Sequence, residues 1–149
     1  MTPYDLALAL AHQAHANQVD KAGKPYIGHP LRVAANFGPT PAGVAAVLHD
    51  VVEDTPVTLE EIEKEFGEEV ARIVDLLTGR EGETYQDFIS RIINSRNQDA
   101  MLIKMADLRD NMNISRLPHP GLKDMDRLIK YAESYKRLIH AVEPDANTG

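Results

Sequence analysis

The chain has 149 residues, of which 43% are apolar and 26% are charged, and this size and composition predict one globular domain over residues 1–149. It contains no cysteine, which excludes a disulfide framework and any metal site built on thiolates, so a metal must be held by histidine, aspartate or glutamate. Sixteen basic and 23 acidic residues give a net charge of −7, which opposes binding to nucleic acid or to an anionic membrane surface. We therefore expect a small partner, or one that arrives with a cation.

The spacing of apolar residues is helical nearly throughout, which predicts an all-α domain. Thr2 caps the first helix and Pro3 occupies its first turn, Thr84 caps the sixth, and residues 58–61 have the form of a capping box. Residues 19–28 hold two glycines and a proline, so we expect an exposed connection that carries function. Eight helices are predicted, over residues 3–17, 30–36, 42–53, 59–66, 68–77, 85–94, 98–114 and 122–142, before a frayed tail from about residue 143.

The N-terminal segment lacks the basic start and the cleavage pattern of a signal peptide. No stretch approaches the roughly 20 apolar residues that a bilayer span requires. These two features predict a cytoplasmic protein without a membrane partner. The sequence predicts no particular oligomeric state.

The third predicted helix is apolar on nearly all faces, which predicts a central, buried position, yet its end carries four ionisable residues. These residues are His49, Asp50, Glu53 and Asp54. Residues four apart share a helix face, so an unbroken helix would place His49 over Glu53 and Asp50 over Asp54. Carboxylates at such short separations repel one another unless a cation is bound between them. The alternative is a helix that ends at Val52, with solvated acids and one hydrogen-bonded core histidine.

Two further residues favour a metal site at this helix end. His29 lies between a glycine-containing loop and a helix start, and Asp107 lies in the run MLIKMADLRDNM, whose apolar residues predict burial around it. A mixed set of imidazoles and carboxylates suits Mn²⁺, Fe²⁺ or Zn²⁺, and suits Mg²⁺ less well. The candidate ligands are His29, His49, Asp50 and Asp107.

This pattern of residues resembles that of the HD superfamily of metal-dependent phosphohydrolases. The longer strings KPYIGHP, HDVVEDT, FGEEVARIVDLLT and IKMADLRDN resemble the alarmone hydrolase branch, which includes the hydrolase domains of the RelA/SpoT enzymes. The similarity runs from about Ala11 to Asn111. It implies an HD-domain helical bundle that holds one Mn²⁺ and hydrolyses the 3′-diphosphate of a small guanosine nucleotide, ppGpp or pppGpp, to give pyrophosphate and GDP or GTP.

The resemblance also assigns roles by position. Four residues match the metal ligands: His29, His49, Asp50 and Asp107. Two match the catalytic acid pair: Glu53 and Asp54. Four match residues on the substrate side: Lys21, Asn111, Arg127 and Tyr131. Lys104 and Arg80 are further candidates for binding phosphates; the alternative for Lys104 is a solvated or ion-paired side chain, and the alternative for Arg80 is a surface role. Four histidines match nothing in the pattern and are expected to be structural or exposed: His12, His15, His119 and His140.

One position departs from the family pattern. The family usually has an arginine before Lys21 that packs against guanine, whereas this chain has Asp20, and Ala22 replaces a common serine. Without that planar cation, other substrates become alternatives: an adenine alarmone such as ppApp, NADPH or a nucleotide monophosphate. A third interpretation is a nucleotide sensor without catalysis, which the intact Glu53 and Asp54 oppose.

Overall fold

Over residues 1–142, which are the residues that the computed structural model describes, the chain forms nine α-helices and one 3-10 helix. No strand forms in this range, where an isolated bridge joins Val19 and Pro25, and none of its helices is both long and apolar enough to cross a membrane. The all-α class is confirmed, and the predicted frayed tail lies outside the described residues. The α-helices are α1 (Pro3–Ala14), α2 (Gly28–Ala34), α3 (Pro41–Leu48), α4 (Val51–Asp54), α5 (Leu59–Phe66), α6 (Glu68–Leu76), α7 (Tyr85–Ser95), α8 (Gln98–Asn111) and α9 (Leu122–Val142), with the 3-10 helix at Ile114–Arg116.

Hydroxyl side chains begin three of these helices as the sequence predicts. Thr2 and Thr58 accept the backbone N–H groups of Asp5 and Glu61, whose carboxylates accept in return from the N–H of each threonine. Thr84 caps α7 by accepting the N–H three residues on. Each such cap satisfies a donor that the first helical turn leaves open and contributes about 1 kcal/mol to stability.

Helix α3 is the centre of the core. Every residue from 42 to 48 is buried, as the apolar composition predicts, and the helix packs against α1, α2 and α6. A Cβ at Gly43 would stand 1.7 Å from the main-chain oxygen of Gly38, so only glycine fits where the preceding loop crosses α3. Large side chains from the surrounding helices complete one core: Ile62, Ile73, Ile89, Ile92, Ile103, Leu108 and Leu138.

The prediction of an unbroken third helix is wrong. Helix α3 ends at Leu48 and α4 begins at Val51, and His49 and Asp50 form a distorted turn between them. Asp50 has φ −103° and ψ −3°, and the N–H of His49 bonds three residues back, to the oxygen of Ala46. Consecutive side chains of a regular α-helix point about 100° apart. The distortion instead lets two adjacent side chains reach one centre.

Other helix boundaries differ from the prediction by a few residues. The first helix stops at Ala14 rather than near Asn17, α2 begins two residues early at Gly28 and ends at Ala34, and α8 stops at Asn111. Turns and the short 3-10 helix occupy the remaining predicted positions. Tighter turns are common where a helix ends, so periodicity alone overestimates its length.

Candidate metal centre and adjoining cavities

The structure brings together the four residues that the sequence predicts as metal ligands. His29 is the second residue of α2, His49 and Asp50 form the turn between α3 and α4, and Asp107 lies in α8. The Nε2 atom of His29 lies 2.7 Å from Oδ1 of Asp107 and 3.7 Å from Oδ2 of Asp50. The Nε2 atom of His49 lies 3.1 Å from Oδ2 of Asp50 and 3.4 Å from Oδ1 of Asp107. The two imidazole nitrogens and a carboxylate oxygen of Asp50 thus lie within 4.8 Å of one another, and Oδ1 of Asp107 lies within 3.4 Å of both nitrogens.

The other ring nitrogen of each histidine fixes its orientation. Nδ1 of His29 lies 2.6 Å from Oδ2 of Asp110, and Nδ1 of His49 lies 2.6 Å from the main-chain oxygen of Ala46. A main-chain oxygen only accepts, so Nδ1 of His49 carries a proton, and Nε2 is the nitrogen that can offer an electron pair to a metal once it is deprotonated; a metal-bound His29 would have the same arrangement.

The arrangement fits a divalent cation. Nε2 of His49 is buried and, within residues 1–142, has no hydrogen-bond partner, although carboxylate oxygens lie nearby. A metal ion would use that electron pair and relieve the repulsion between Asp50 and Asp107. Histidine ligands of metals typically donate their second N–H to a carboxylate or a carbonyl, as His29 and His49 do here.

Positive and negative side chains lie next to one another in and beside the cluster, and they shift one another's pKa values. Burial raises the pKa of the Asp107 carboxyl, but the Lys104 ammonium and the two imidazoles outweigh burial and hold this pKa well below its usual range. Lys104 is itself buried and donates from Nζ to Oδ2 of Asp107 at 2.7 Å. Burial lowers the pKa of His29, but hydrogen bonds to Asp107 and Asp110 outweigh it and raise the pKa to about 8. The metal-free protein therefore carries a protonated imidazole at neutral pH.

We expect the apparent affinity for Mn²⁺ to rise with pH throughout the range below the His29 pKa of about 8, with the contribution of His29 levelling off above that value. Burial of His49 is likewise outweighed, by Asp50 and Asp107, and its pKa also rises. Each Nε2 must lose its proton before it binds a metal, so competition between protons and the metal ion weakens as pH increases. Calorimetric titration with Mn²⁺ at pH 7, in buffers of different ionisation enthalpy, measures the protons released. Binding without proton release would contradict this prediction.

Three residues that hold the cluster were not predicted from the sequence. The hydroxyl of Tyr26 donates to Oδ2 of Asp50, and Asp110 accepts from His29. Arg32 in turn donates to both oxygens of Asp110, at 2.7 and 3.1 Å. Sequence spacing offered a hint for two of them. Tyr26 lies three residues before His29, and Asp110 lies three residues after Asp107, on the same face of α8.

Replacement of Asp110 by alanine should weaken Mn²⁺ binding by roughly 10- to 100-fold, because His29 loses the carboxylate that orients its ring. The matched control is Asp126→Ala, which removes an exposed carboxylate of α9. Equilibrium dialysis with Mn²⁺ provides the measurement. Equal affinity of the two variants would show that Asp110 does not position the ligand.

The predicted acid pair lies in α4, one turn from the cluster. The N–H of Asp54 donates to the main-chain oxygen of Asp50 at 3.0 Å, so part of the expected helical spacing survives the break. Glu53 is exposed, and its Oε1 accepts the N–H of Gly79 at 3.1 Å. Partial burial, followed by the charges of Asp50 and Glu53, raises the pKa of the Asp54 carboxyl. Asp54 is thus better suited than an ordinary aspartate to hold a proton.

A cavity of about 300 Å³ opens beside His29 and contains the substrate-side residues that the sequence predicts. Its walls include Lys21, Asn111, Arg127 and Tyr131. The side-chain amide of Asn111 donates to Oδ1 of Asp107 at 3.2 Å, so this residue touches both the cavity and the cluster. Arg127 forms an ion pair with Asp124.

Lys104 and Arg80 lie elsewhere, on the wall of a second cavity that also includes Glu53. Lys104 is buried against Asp107, and Arg80 is held by Asp75 at 2.9 Å and by two main-chain oxygens. Lys104 is therefore ion-paired in this structure, and Arg80 lies at the surface, where it pairs with Asp75. The cations predicted to bind phosphates therefore divide between two cavities.

Asp20 has a structural explanation in the loop over residues 19–28. Its Oδ1 accepts the N–H groups of Ala22 and Lys24, both at 2.9 Å, and thereby holds the turn that carries Lys21. Asp20 also lines the first cavity. A carboxylate with this role shapes the loop without offering a planar cation to a base.

Comparison with known proteins identifies the family. The sequence profile described as the HD domain matches residues 7–112. The chain belongs to the HD domain family. The matched range contains all four residues of the cluster and the acid pair, and it confirms the resemblance drawn from the sequence motifs.

Similar proteins include much longer chains. A probable GTP pyrophosphokinase of Mycobacterium leprae is 41% identical over 154 residues, a match that covers 95% of this chain and 18% of that protein. A guanosine-3′,5′-bis(diphosphate) 3′-pyrophosphohydrolase of Haemophilus influenzae is 38% identical over 116 residues, covering 69% and 17%. The chain therefore spans less than a fifth of the length of these curated relatives.

A solved structure has a similar size and fold. It is that of a metazoan ortholog of SpoT that hydrolyzes ppGpp and plays a role in starvation responses. The two structures align with a TM-score of 0.77 and 27% sequence identity, over 96% of this chain and 86% of the other. The helical arrangement of this HD domain thus also occurs in a chain of comparable length.

Proposed function

We propose that this protein is a divalent-metal-dependent hydrolase that removes the 3′-diphosphate of guanosine alarmones, ppGpp or pppGpp, and releases pyrophosphate with GDP or GTP. One observation carries the proposal: the oriented imidazoles of His29 and His49 meet Asp50 and Asp107, and His29 also lines a cavity with Lys21 and Arg127. The names of the Haemophilus influenzae relative and of the metazoan structure support this substrate class.

The metal that we propose is Mn²⁺, held by His29, His49, Asp50 and Asp107; Fe²⁺ and Zn²⁺ suit the same donors. When bound, such an ion supplies Lewis-acid chemistry, in that it polarises a phosphoryl oxygen and lowers the pKa of a coordinated water. Asn111 and Lys104, which donate to Asp107, keep its carboxylate directed at the centre. The protein scaffold therefore presents these ligands already oriented.

We assign the proton transfer to the acid pair. Glu53 accepts the N–H of Gly79 through one oxygen, which leaves the other free to orient a water molecule. Asp54, whose pKa is raised, accepts the proton that the attacking water releases. The water oxygen bonds to phosphorus as the bond between the 3′-oxygen and phosphorus breaks, and the proton held by Asp54 passes to the leaving 3′-oxygen.

Cations of the first cavity bind the phosphates in this proposal. Lys21 lies in the loop held by Asp20, and its pKa is lowered by partial burial and then by the nearby Arg127 charge. Two cations that repel one another favour an anion between them. Arg127 can bind two phosphate oxygens at once, and Tyr131 supplies an aromatic wall.

The products of ppGpp hydrolysis test this function. The Mn²⁺-loaded protein should release pyrophosphate and GDP in equal amounts, measured by ion-exchange chromatography. Release of single phosphates would contradict the assigned bond cleavage. Absence of turnover with every nucleotide tested would favour the sensor interpretation instead.

A second candidate is hydrolysis of a different nucleotide by the same centre. The observation that favours it is Asp20, whose carboxylate closes the loop turn at the position where an arginine would stack on guanine. The rates of ppGpp, ppApp, NADPH and nucleotide monophosphate hydrolysis, measured side by side with Mn²⁺, decide between the two. A higher kcat/KM for ppApp than for ppGpp would assign the cavity to adenine.

The remaining predictions about partners and location follow from composition. A small phosphorylated nucleotide agrees with the cation-lined cavity, and the net charge of −7 opposes nucleic acid. The cytoplasm stays our prediction for the compartment.

A further inference from the structure

His15 is buried although the sequence assigns it no partner. It follows α1 and is only 2% exposed. Its Nδ1 lies 2.8 Å from Oε1 of Gln18, and its ring centroid lies 5.0 Å from that of Tyr26. Nε2 is buried and finds no hydrogen-bond partner in the part of the chain that the structure describes. The contacts of His15 thus hold the side chains of Gln18 and Tyr26 in place.

Gln18 connects His15 to the acid pair. Its Nε2 donates to the main-chain oxygen of Asp54 at 3.1 Å, across 36 residues of sequence. A carbonyl oxygen only accepts, so the amide nitrogen of Gln18 must face it, and the amide oxygen then faces His15. His15 therefore donates from Nδ1, and this bond sets which way the Gln18 amide points. Both bonds require one orientation of a single side chain.

Asp54 needs such support because its helix is very short. Helix α4 contains four residues, and a single turn is too short to be stable by its own backbone hydrogen bonds. The carbonyls at a helix end also lack partners within the helix. Gln18 supplies a donor to the carbonyl of Asp54, while Gly79 holds the carboxylate of the neighbouring Glu53. The acid pair is thus attached to the rest of the protein on both sides.

The same segment also reaches the metal ligands. The main-chain oxygen of Gln18 accepts the N–H of Tyr26 at 2.9 Å, and the hydroxyl of Tyr26 donates to Oδ2 of Asp50. Because the Tyr26 ring packs against His15, one group of side chains fixes Asp54 and Asp50 relative to each other. The distance between a proton acceptor and the ligands of a metal is a quantity on which hydrolysis depends.

We propose that His15 and Gln18 are positioning residues that hold Asp54 in register with the metal ligands. The proposal rests on the proposed function, in which Asp54 accepts a proton. Neither residue touches the four-residue cluster: the Gln18 amide acts through Asp54, and His15 acts through Gln18 and through the ring of Tyr26. Loss of the Gln18 donor should therefore affect the turnover number and leave metal affinity and substrate binding unchanged.

The decisive variant is Gln18→Glu. A glutamate keeps an oxygen for the Nδ1–H of His15 but replaces the donor to Asp54 with a second acceptor. We expect kcat for ppGpp to fall by roughly 10- to 100-fold, as misplacement of a reacting group does, while KM and Mn²⁺ affinity stay within about twofold of the wild type by the same reasoning. Gln13→Glu, an exposed change on α1 with the same chemistry, is the matched control and should leave kcat unchanged.

His15→Asn tests whether donation from position 15 is what matters. The amide nitrogen of asparagine can take the place of Nδ1 and donate to Gln18, whereas His15→Leu fills the site without a donor. Greater turnover in His15→Asn than in His15→Leu, at similar melting temperatures, supports the proposal. Equal turnover in the two variants overturns it, as does a Gln18→Glu variant whose kcat matches that of the control.

Hydrogen exchange separates this proposal from the proposed function, because it requires no turnover. In Gln18→Glu, amides of residues 51–55 should exchange faster than in the Gln13→Glu control, and those of α5 should not change. If the wild type hydrolyses no nucleotide, the proposed function fails while the exchange result still tests the link. Unchanged exchange at residues 51–55 overturns the positioning role whatever the activity of the wild type.

Discussion

Replacement of Asp107 by alanine should abolish Mn²⁺ binding and turnover together. Its carboxylate lies 2.7 Å from Nε2 of His29 and 3.4 Å from Nε2 of His49, so it faces both imidazoles at once. The change also leaves Lys104 without its partner in a buried position. Breaking a buried ion pair typically costs about 3–5 kcal/mol of unfolding free energy. Calorimetry with Mn²⁺ and thermal unfolding measure the two effects separately.

A double variant distinguishes a lost ligand from lost stability. In Lys104→Met with Asp107→Ala, no unpaired ammonium remains, and an apolar side chain packs against the rings of Tyr85 and Phe88, which Lys104 faces at 5.5 and 5.0 Å. We expect much of the stability to return and Mn²⁺ binding to stay absent. If a stable double variant bound Mn²⁺ as tightly as the wild type does, Asp107 would be excluded from the metal ligands.

Replacement of Glu53 by glutamine should leave Mn²⁺ bound and lower kcat by roughly 10²- to 10⁴-fold, the usual effect of losing a general acid or base. Glutamine retains an oxygen for the N–H of Gly79, so the local structure is preserved while the charge and the proton affinity are removed. The measurement is pyrophosphate release from ppGpp at saturating Mn²⁺.

The matched control for this variant is Glu63→Gln, on the exposed face of α5. It removes the same charge at a position away from the cluster and should leave kcat within about twofold of the wild type, as surface changes usually do. Similar turnover in the two variants would show that Glu53 has no role in proton transfer. Loss of Mn²⁺ binding in Glu53→Gln would instead show that Glu53 is a metal ligand.

The local features of the fold were predictable because each depends on residues close in sequence. The caps at Thr2, Thr58 and Thr84 and the buried run of α3 follow from side-chain chemistry and apolar spacing. The break at His49 and Asp50 was not predictable from spacing, because residues 42–53 read as one helical run. That run is interrupted where the adjacent side chains of His49 and Asp50 both point toward the ligand cluster.

The candidate site was predictable in its ligands and less so in their support. His29, His49, Asp50 and Asp107 stand in motifs that resemble a known family. Their supporting contacts join distant positions: Asp110 lies 81 residues from His29, and Gln18 lies 36 residues from Asp54. Apolar periodicity describes which face of an element is buried and contains no information about which polar side chains meet across the core. The division of the cations between two cavities has the same origin.

The most direct test of a metal-dependent hydrolase at this cluster is a titration of activity with metal. Protein stripped by a chelator is mixed with ppGpp, Mn²⁺ is added in steps, and pyrophosphate release is measured at each step. We predict no turnover without metal and a linear rise that ends at one Mn²⁺ per chain, with no rise in Asp107→Ala. Turnover by the stripped protein, or none at saturating Mn²⁺, would contradict the assignment.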